Sequence, residues 1–482
     1  MIRRSYVLAG TLVAGLAAPT AMRFSVVSAL VIALGALALA PRFSLSCLLA
    51  LAGWWWGSVR LEQLDASRLA PLVGSGGIAI VDVKEPPRIG RFDVRETSVV
   101  RRWDDRPLDE PVLLELARTR APPPPQGARL RVIGTLRMPP DYERTWLRRH
   151  GVHVVLRSST VRVLRLRGGL ADRLHAWLAR ASVPGVTGER RAVIEGVVLG
   201  EDGGLSDSLK QRFRASGLYH LLAVSGGNVA VVAAGTVGIA FLLGVSRVAA
   251  ELAALAAIGG YVLAVGPQPS VIRAGVVGAL GSLAWLSGRE RDRWYALLLA
   301  AIALLAWNPY NALDPGFQLS FAAVLAIFTL APRIVRWLEG YPVPRLLAQG
   351  IAISAACGLV TAPISWFHFH AIPLITVPAN LAAAPVVTPL LALALLAAVL
   401  PPAGPLLAQV NGWCAAYLAG CARFFGGLPG AQIRSPAAAA ALAAGAACAG
   451  AYAWRRGERA QARLPPERKR PAEDRARGAP AA

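Results

Sequence analysis

Between Gly217 and Ala230 the chain reads GLYHLLAVSGGNVA, which sets an imidazole (His220), a hydroxyl (Ser225) and an amide (Asn228) inside an apolar run broken by Gly226 and Gly227. Hydrocarbon cannot satisfy a broken backbone or a buried imidazole, so such features persist in a membrane only where they face protein or water. Other stretches repeat the pattern. Pro269-Ser-Val-Ile-Arg-Ala274 carries Arg273 within an apolar run, and residues 308–321, NPYNALDPGFQLSF, set Gln318 and Ser320 just inside the next. Trp366-Phe-His-Phe-His370 sits at the edge of a further run, and Pro378-Ala-Asn380 places an amide among prolines. An arginine in a span costs about 2.5–3.5 kcal/mol on insertion scales, so it needs a protein or water partner. Each residue alone reads as glue between helices; together they outline a wet path. A nucleophile–base reading of Ser225 and His220 is weaker. The two lie off one helical face, and no acidic orienter is near.

The elements that must position these residues are membrane helices. The chain has 482 residues, 55% hydrophobic and 16% charged, with a mean hydropathy of +0.47. That composition excludes an ordinary soluble globule. The net charge of +23 is therefore concentrated in a few basic segments suited to lipid headgroups or a polyanion. The five cysteines fall in apolar runs without a CxxC pair, so neither a disulfide framework nor a metal site is expected. No cofactor motif is present.

Residues 1–60 hold three apolar runs, at the N-terminus, at 24–40 and at 43–59, read as spans rather than a cleaved leader. Residues 61–168 change character. Alternation in Ile78–Val83, Arg129–Ile133, Gly151–Leu156 and Val161–Leu166 predicts strands with one buried face, and hence a small barrel. Residues 169–216 read as amphipathic helices; Leu170, Leu174, Trp177 and Leu178 share one face, which suits a helix lying on the membrane or on the barrel. Apolar runs return at 221–243, 248–265, 270–287, 294–307, 317–331, 346–366, 372–400, 405–426 and 436–454, so 217–454 forms the main membrane domain. The prolines at 373, 378, 385 and 389 predict a break in the 372–400 run. Residues 455–482 read as a disordered basic tail.

With the N-terminus inside, about twelve spans place the barrel outside and return the C-terminus to the cytoplasm. Arg247, Arg289, Arg291, Arg293, Arg333, Arg336 and Arg345 then lie inside, while the outer loops at 266–269, 308–315 and 367–371 carry no Lys or Arg, and Arg434 is the one exception.

The order of GLYHLLAVSGGNVA, PSVIRAGVV, DPGFQLSFAAVLAI and the TAP…VPANLAAAPVV pattern at 361–387 resembles the competence region of the ComEC family, inner-membrane channel proteins of bacterial DNA uptake. PDYERTWLRRHGVHVVL, residues 140–156, resembles the family's extracytoplasmic OB-like domain. Two departures stand out. Asn228 occupies a position where family members typically carry His, and the C-terminal metallo-β-lactamase-like domain of many members is not seen. His368-Phe-His370 supplies only half of that domain's metal motif.

The resemblance implies a polytopic helical membrane protein with an inserted β-barrel, passing single-stranded DNA inward across the plasma membrane. It makes His220, Ser225, Gly226, Asn228, Arg273, Gln318, Ser320 and Asn380 channel-lining candidates, and Phe92, Trp103, Tyr142 and Trp146 candidates for stacking on the strand. The implied partners are single-stranded DNA, membrane lipids, a DNA receptor, a helicase-type motor and a separate nuclease. No GxxxxGK[ST] loop is present, so the driving force is expected from such a partner. A membrane hydrolase and a small-solute transporter remain the alternatives, and oligomeric state is left open.

Overall fold

A computed structural model describes residues 4–21, 44–85, 87–89, 93–117, 123–166, 168–266, 269–286 and 292–441. The stacking candidate Phe92, the run at 24–40, most of that at 436–454 and the tail lie outside the described residues.

The alternating segments close on themselves. Strands β1 (Gly76–Val83), β3 (Asp93–Trp103), β4 (Arg106–Ala117), β5 (Arg129–Arg137) and β6 (Val155–Arg165) pair in the ring β1-β5-β6-β4-β3-β1, with β2 (Arg88–Ile89) attached to β3. All pairings are antiparallel except β4 with β6. Period two fills this five-stranded barrel: along β5, Leu130, Val132 and Leu136 point in, while Arg129, Arg131 and Arg137 point out. Asp104, at φ 49°, turns the two-residue β3–β4 hairpin, and its Oδ1 accepts from the Ile78 amide at 2.9 Å.

Two expectations change here. Gly151–Leu156 and Val161–Leu166 belong to one strand beginning at Val155, because Gly151 at φ 75° ends the preceding helix instead. Trp103 is 4% exposed and fills the barrel core, so it is no stacking platform.

Helix α1 (Arg4–Ala17) crosses α2 (Ser44–Asp65) where side chains would not fit. A Cβ on Gly53 would lie 2.8 Å from the Leu12 carbonyl, one on Gly57 2.9 Å from that of Leu16, and one on Gly15 would strike Ala50. At the far end of α2, Glu110 of the barrel accepts from the Arg68 and Leu69 amides, at 2.8 and 3.1 Å, and His153 Nε2 lies 2.7 Å from the Leu64 carbonyl. Helix α3 (Asp141–Arg149) sits between β5 and β6.

The stretch expected as amphipathic helices, 169–216, folds as α4 (Leu170–Ala181), α5 (Gly188–Leu199) and α6 (Asp207–Ser216), of which α5 is the most buried. Val193, Ile194 and Val198 are fully buried, and the same core continues into the membrane helices. The charges on α5 are satisfied laterally: Arg191 donates to Glu195 at 2.8 Å, Glu189 pairs with Arg423, and Arg190 stacks over Trp413.

The membrane domain contains α7 (Gly226–Leu242), α8 (Arg247–Val265), α9 (Pro269–Leu286), α10 (Arg293–Trp307), α11 (Pro315–Thr329), α12 (Ala331–Leu338), α13 (Arg345–Phe369), α14 (Thr376–Val399) and α15 (Gly404–Gly427). Among the described residues, four helical segments are long and apolar enough to cross a membrane, or five if α11 and α12, bent by 40°, form one span. This is fewer than about twelve. Several expected spans are helices of only 10–17 apolar residues, such as Arg293–Trp307, and others lie outside the described residues. The expected break in 372–400 is absent from 376–399, where α14 runs through Pro385 and Pro389. The Tyr417 hydroxyl of α15 donates to the Ala382 carbonyl in the turn before Pro385, at 3.1 Å.

Candidate functional site

The first motif folds as the end of one helix, a short turn and the start of the next. Helix α6 stops at Gly217, whose φ of 77° and contact with the Thr376 side chain admit only glycine. A short turn over Tyr219–Leu221 follows, and α7 begins at Gly226 after the extended residue Ser225. Asn228 is buried one step inside α7. Its Nδ2 donates to the Val197 carbonyl at 2.7 Å and to the Tyr261 hydroxyl at 3.3 Å, while its Oδ1 accepts from Ser225 Oγ at 3.1 Å. Tyr261 in turn donates to the Val198 carbonyl at 2.7 Å. Those two carbonyls close the last turn of α5, where helical partners are lacking. Asn228 therefore locks α5 to α7 and α8, and does not present its amide to a path. Ser270 fixes the next element by donating to the Val224 carbonyl at 2.7 Å.

Arg273 lies one turn along α9 from Ser270 and faces the glycine break. Its Nη2 is 3.7 Å from where a Cβ on Gly226 would stand. Its Nε is shielded from solvent with no hydrogen-bond partner. The start of α7, whose amides carry a partial positive charge, and this guanidinium thus converge on one spot. Ser225, Gly226, Asn228 and Arg273 form one cluster. His220 stands apart; its Nδ1 lies 2.8 Å from the Gly217 carbonyl and its ring is exposed. No hydrogen bond joins His220 to Ser225 among the described residues.

The remaining candidates are elsewhere. Gln318 donates to the Ala312 carbonyl at 2.8 Å and meets His368 Nε2 at 2.9 Å, tying α11 to α13. Ser320 and Asn380 are half-buried, Asn380 one turn beyond Thr376 on α14.

A family model described as "Competence protein" matches residues 197–459, more than half of the chain. The chain belongs to the competence protein family. The matched region begins at Val197, the residue whose carbonyl Asn228 holds. ComE operon protein 3 of Bacillus subtilis (strain 168) is 32% identical over 199 residues, 41% of this chain and 24% of that protein. An uncharacterised protein, YcaI, of Escherichia coli (strain K12) is 29% identical over 238 residues, 46% of this chain and 31% of that protein. The chain thus aligns to between about a quarter and a third of these relatives' length. No solved structure matches.

Ahead of the competence region the fold supplies features that the sequence reading missed. His175 on α4 is buried with both ring nitrogens against acceptors: Nδ1 lies 2.8 Å from the Ala264 carbonyl at the end of α8, and Nε2 lies 2.7 Å from Glu201. Burial favours the neutral ring, but the bond and charge of Glu201 and the Ala264 carbonyl outweigh it and raise the pKa. In the barrel, Glu96 is 1% exposed with neither carboxylate oxygen partnered, and burial pushes its pKa up to about 8. Its place on an inward position of β3 was the available signal.

Tyr142 and Trp146 do come together. They lie one turn apart on α3, both exposed, along a cavity of about 340 Å³ completed by Arg95, Thr97, Leu113, Glu143 and Leu147.

Proposed function

We propose that the chain is the channel of a DNA-uptake system. It is a multi-pass plasma-membrane protein of about twelve spans, with both termini cytoplasmic, that passes one DNA strand inward beneath an extracytoplasmic OB-like barrel. The observation that carries this reading is Arg273: a permanently charged group within an apolar helix, directed at a helix start and a glycine break, with no protein partner for its Nε. A phosphodiester chain supplies the anion that such a site lacks, one unit after another, and a planar guanidinium binds it without a change of protonation. Family membership supports the same reading.

The contacts between barrel and helices agree with that direction. Asn308 Nδ2 donates to the Arg149 carbonyl of the barrel's α3 at 2.9 Å; on α2, which leads into the barrel, Asp65 accepts from Tyr310 at 2.9 Å and Arg60 donates to the Trp307 carbonyl at 2.9 Å. The barrel therefore meets the helices at the end whose loop, 308–315, carries no Lys or Arg, as expected for the outer face. A DNA receptor, a helicase-type motor and a separate nuclease complete the system.

The test is transformation frequency together with membrane abundance in a strain carrying Arg273→Gln or Arg273→Lys. Loss with both at normal abundance is expected, because lysine cannot reproduce the two-pronged geometry. Normal uptake with Arg273→Gln would remove this residue from the path. Cysteines placed at Ser159 and Gly340 should label from opposite sides of the membrane; labelling from one side overturns the topology.

A further inference from the structure

The groove under α3 has a composition that separates two parts of a nucleic acid. Its walls are aromatic and apolar: Tyr142 is 76% exposed, Trp146 is 43% exposed with its ring 4.4 Å from that of His150, and Leu113 and Leu147 line the base. Its one cation is already engaged. Arg95 donates from Nε to Asp93 at 2.7 Å and from Nη1 to both oxygens of Glu143, at 3.0 and 3.1 Å; Glu115 stands 4.0 Å from Nη2. Of these three carboxylates around one guanidinium Glu143 lines the groove, so the floor beside the two leucines is acidic. A phosphate brought there would meet repulsion and would have to displace carboxylates already bonded to Arg95. A flat, uncharged ring meets neither cost. The arginines of α3 lie away from the lining: Arg148 pairs with Asp65 at 3.0 Å and Arg144 with Asp141 at 2.8 Å.

We infer that this groove receives the nucleobases of a single strand and leaves its phosphates outside, and that its acidic floor favours bases carrying an exocyclic amine. This rests on the reading of the chain as a carrier of single-stranded DNA. Tyr142 and Trp146 supply stacking faces one helical turn apart, a sequence-tolerant contact. Glu143 adds the bias. A carboxylate accepts at several lone-pair positions, so binding Arg95 leaves capacity for an amine such as cytosine N4. Thymine offers no such donor.

The experiment uses the full chain in lipid nanodiscs and fluorescence anisotropy with three oligonucleotides of one length: oligo-dC, oligo-dT and an abasic strand with the same phosphates. The wild type should bind oligo-dC tightest and the abasic strand weakest. Tyr142→Ala with Trp146→Ala should weaken oligo-dC by roughly tenfold or more, the scale of losing one or two stacked bases. Abasic binding should not change. Tyr142→Phe with Trp146→Phe keeps the stacking faces and should retain the discrimination, which separates lost stacking from a misfolded barrel. Glu143→Gln should bring oligo-dC and oligo-dT closer together. Equal weakening of all three strands by the alanine pair would mark a phosphate site and overturn the inference, as would no weakening or a Phe pair that behaves like the Ala pair. If the wild type binds none of the strands, the strand-carrying reading fails; if it binds all three equally, only the base-selective groove does.

Discussion

The barrel and the helical domain each hold an ionisable side chain, Glu96 buried and Arg273 half-buried, with a shielded polar atom that has no hydrogen-bond partner among the described residues, and they resolve it in opposite ways. Glu96 is sealed among Val94, Val100, Leu114 and the rest of a closed core. A carboxyl can take up a proton, so enclosure drives it neutral. Arg273 has no such escape, since a guanidinium does not deprotonate in a protein. An unpartnered acid in a dry core is thus compatible with a purely structural role, whereas an unpartnered arginine among apolar helices implies water or an anion beside it.

The largest expected effect follows from that contrast. Arg273→Gln should reduce transformation to the level of a deletion strain, while Glu96→Gln should leave it near normal; equal defects would erase the distinction. Next in size is the pH response of the barrel. The pKa of Glu96 is higher folded than unfolded, so the folded state holds a proton that the unfolded state releases. Stability is then greatest below the ordinary carboxylate range and falls as pH rises towards about 8, by on the order of a few kcal/mol. Hydrogen exchange of β3 peptides in the full chain should show this loosening in the wild type and not in Glu96→Gln. A flat wild-type profile would mean that the acid has found a partner.

A smaller loss, about 1–3 kcal/mol, is expected from Asn228→Ala, which strands the Val197 carbonyl in a dry interface. Thermal unfolding of the full chain measures it, and Tyr261→Phe should be milder because Asn228 keeps its bonds to the Val197 carbonyl and to Ser225. The smallest effect belongs to His175. Its pKa is raised on folding, so its contribution is complete below the unfolded value and disappears as pH rises through the folded one. A cation at a helix C-terminus contributes up to about 2 kcal/mol. His175→Gln should lose that pH-dependent part of the melting curve, and a variant with unchanged pH dependence would show that the ring is neutral.

Much of the architecture was legible because the two periods differ. Alternation over Ile78–Val83 and Arg129–Ile133 marked the barrel, and apolar runs marked α7, α8, α13 and α14, α8 to within a residue and the others less closely. Closure was not legible: the parallel β4–β6 pairing joins segments that share no local signal. Trp103 looked like its exposed counterparts Tyr142 and Trp146, because an aromatic residue on a strand carries no mark of which face is inside until the register is known. The burial of α5 was not legible, because Glu189 and Arg190 find their partners Arg423 and Trp413 more than two hundred residues away. Of the path candidates, the sequence singled out Arg273 and Asn228 alike as polar groups among apolar ones. Only the neighbours separate them: Asn228 spends its amide on Val197 and Tyr261, and Arg273 meets the start of α7.

The short ladder between Ile372–Pro373 and Gln432–Ile433 has a mechanical consequence. Helices α14 and α15 already share a tight turn at one end, and the ladder, with the Leu374 amide donating to the Ala431 carbonyl at 2.9 Å, fastens the chain at the other. The hairpin is thereby a buckle with both ends closed, unable to splay, so any displacement of α14 carries α15 with it. Thr376, just past the buckle, packs against Gly217, and α15 packs along α6, so the hairpin and the turn leading into α7 are held as one piece.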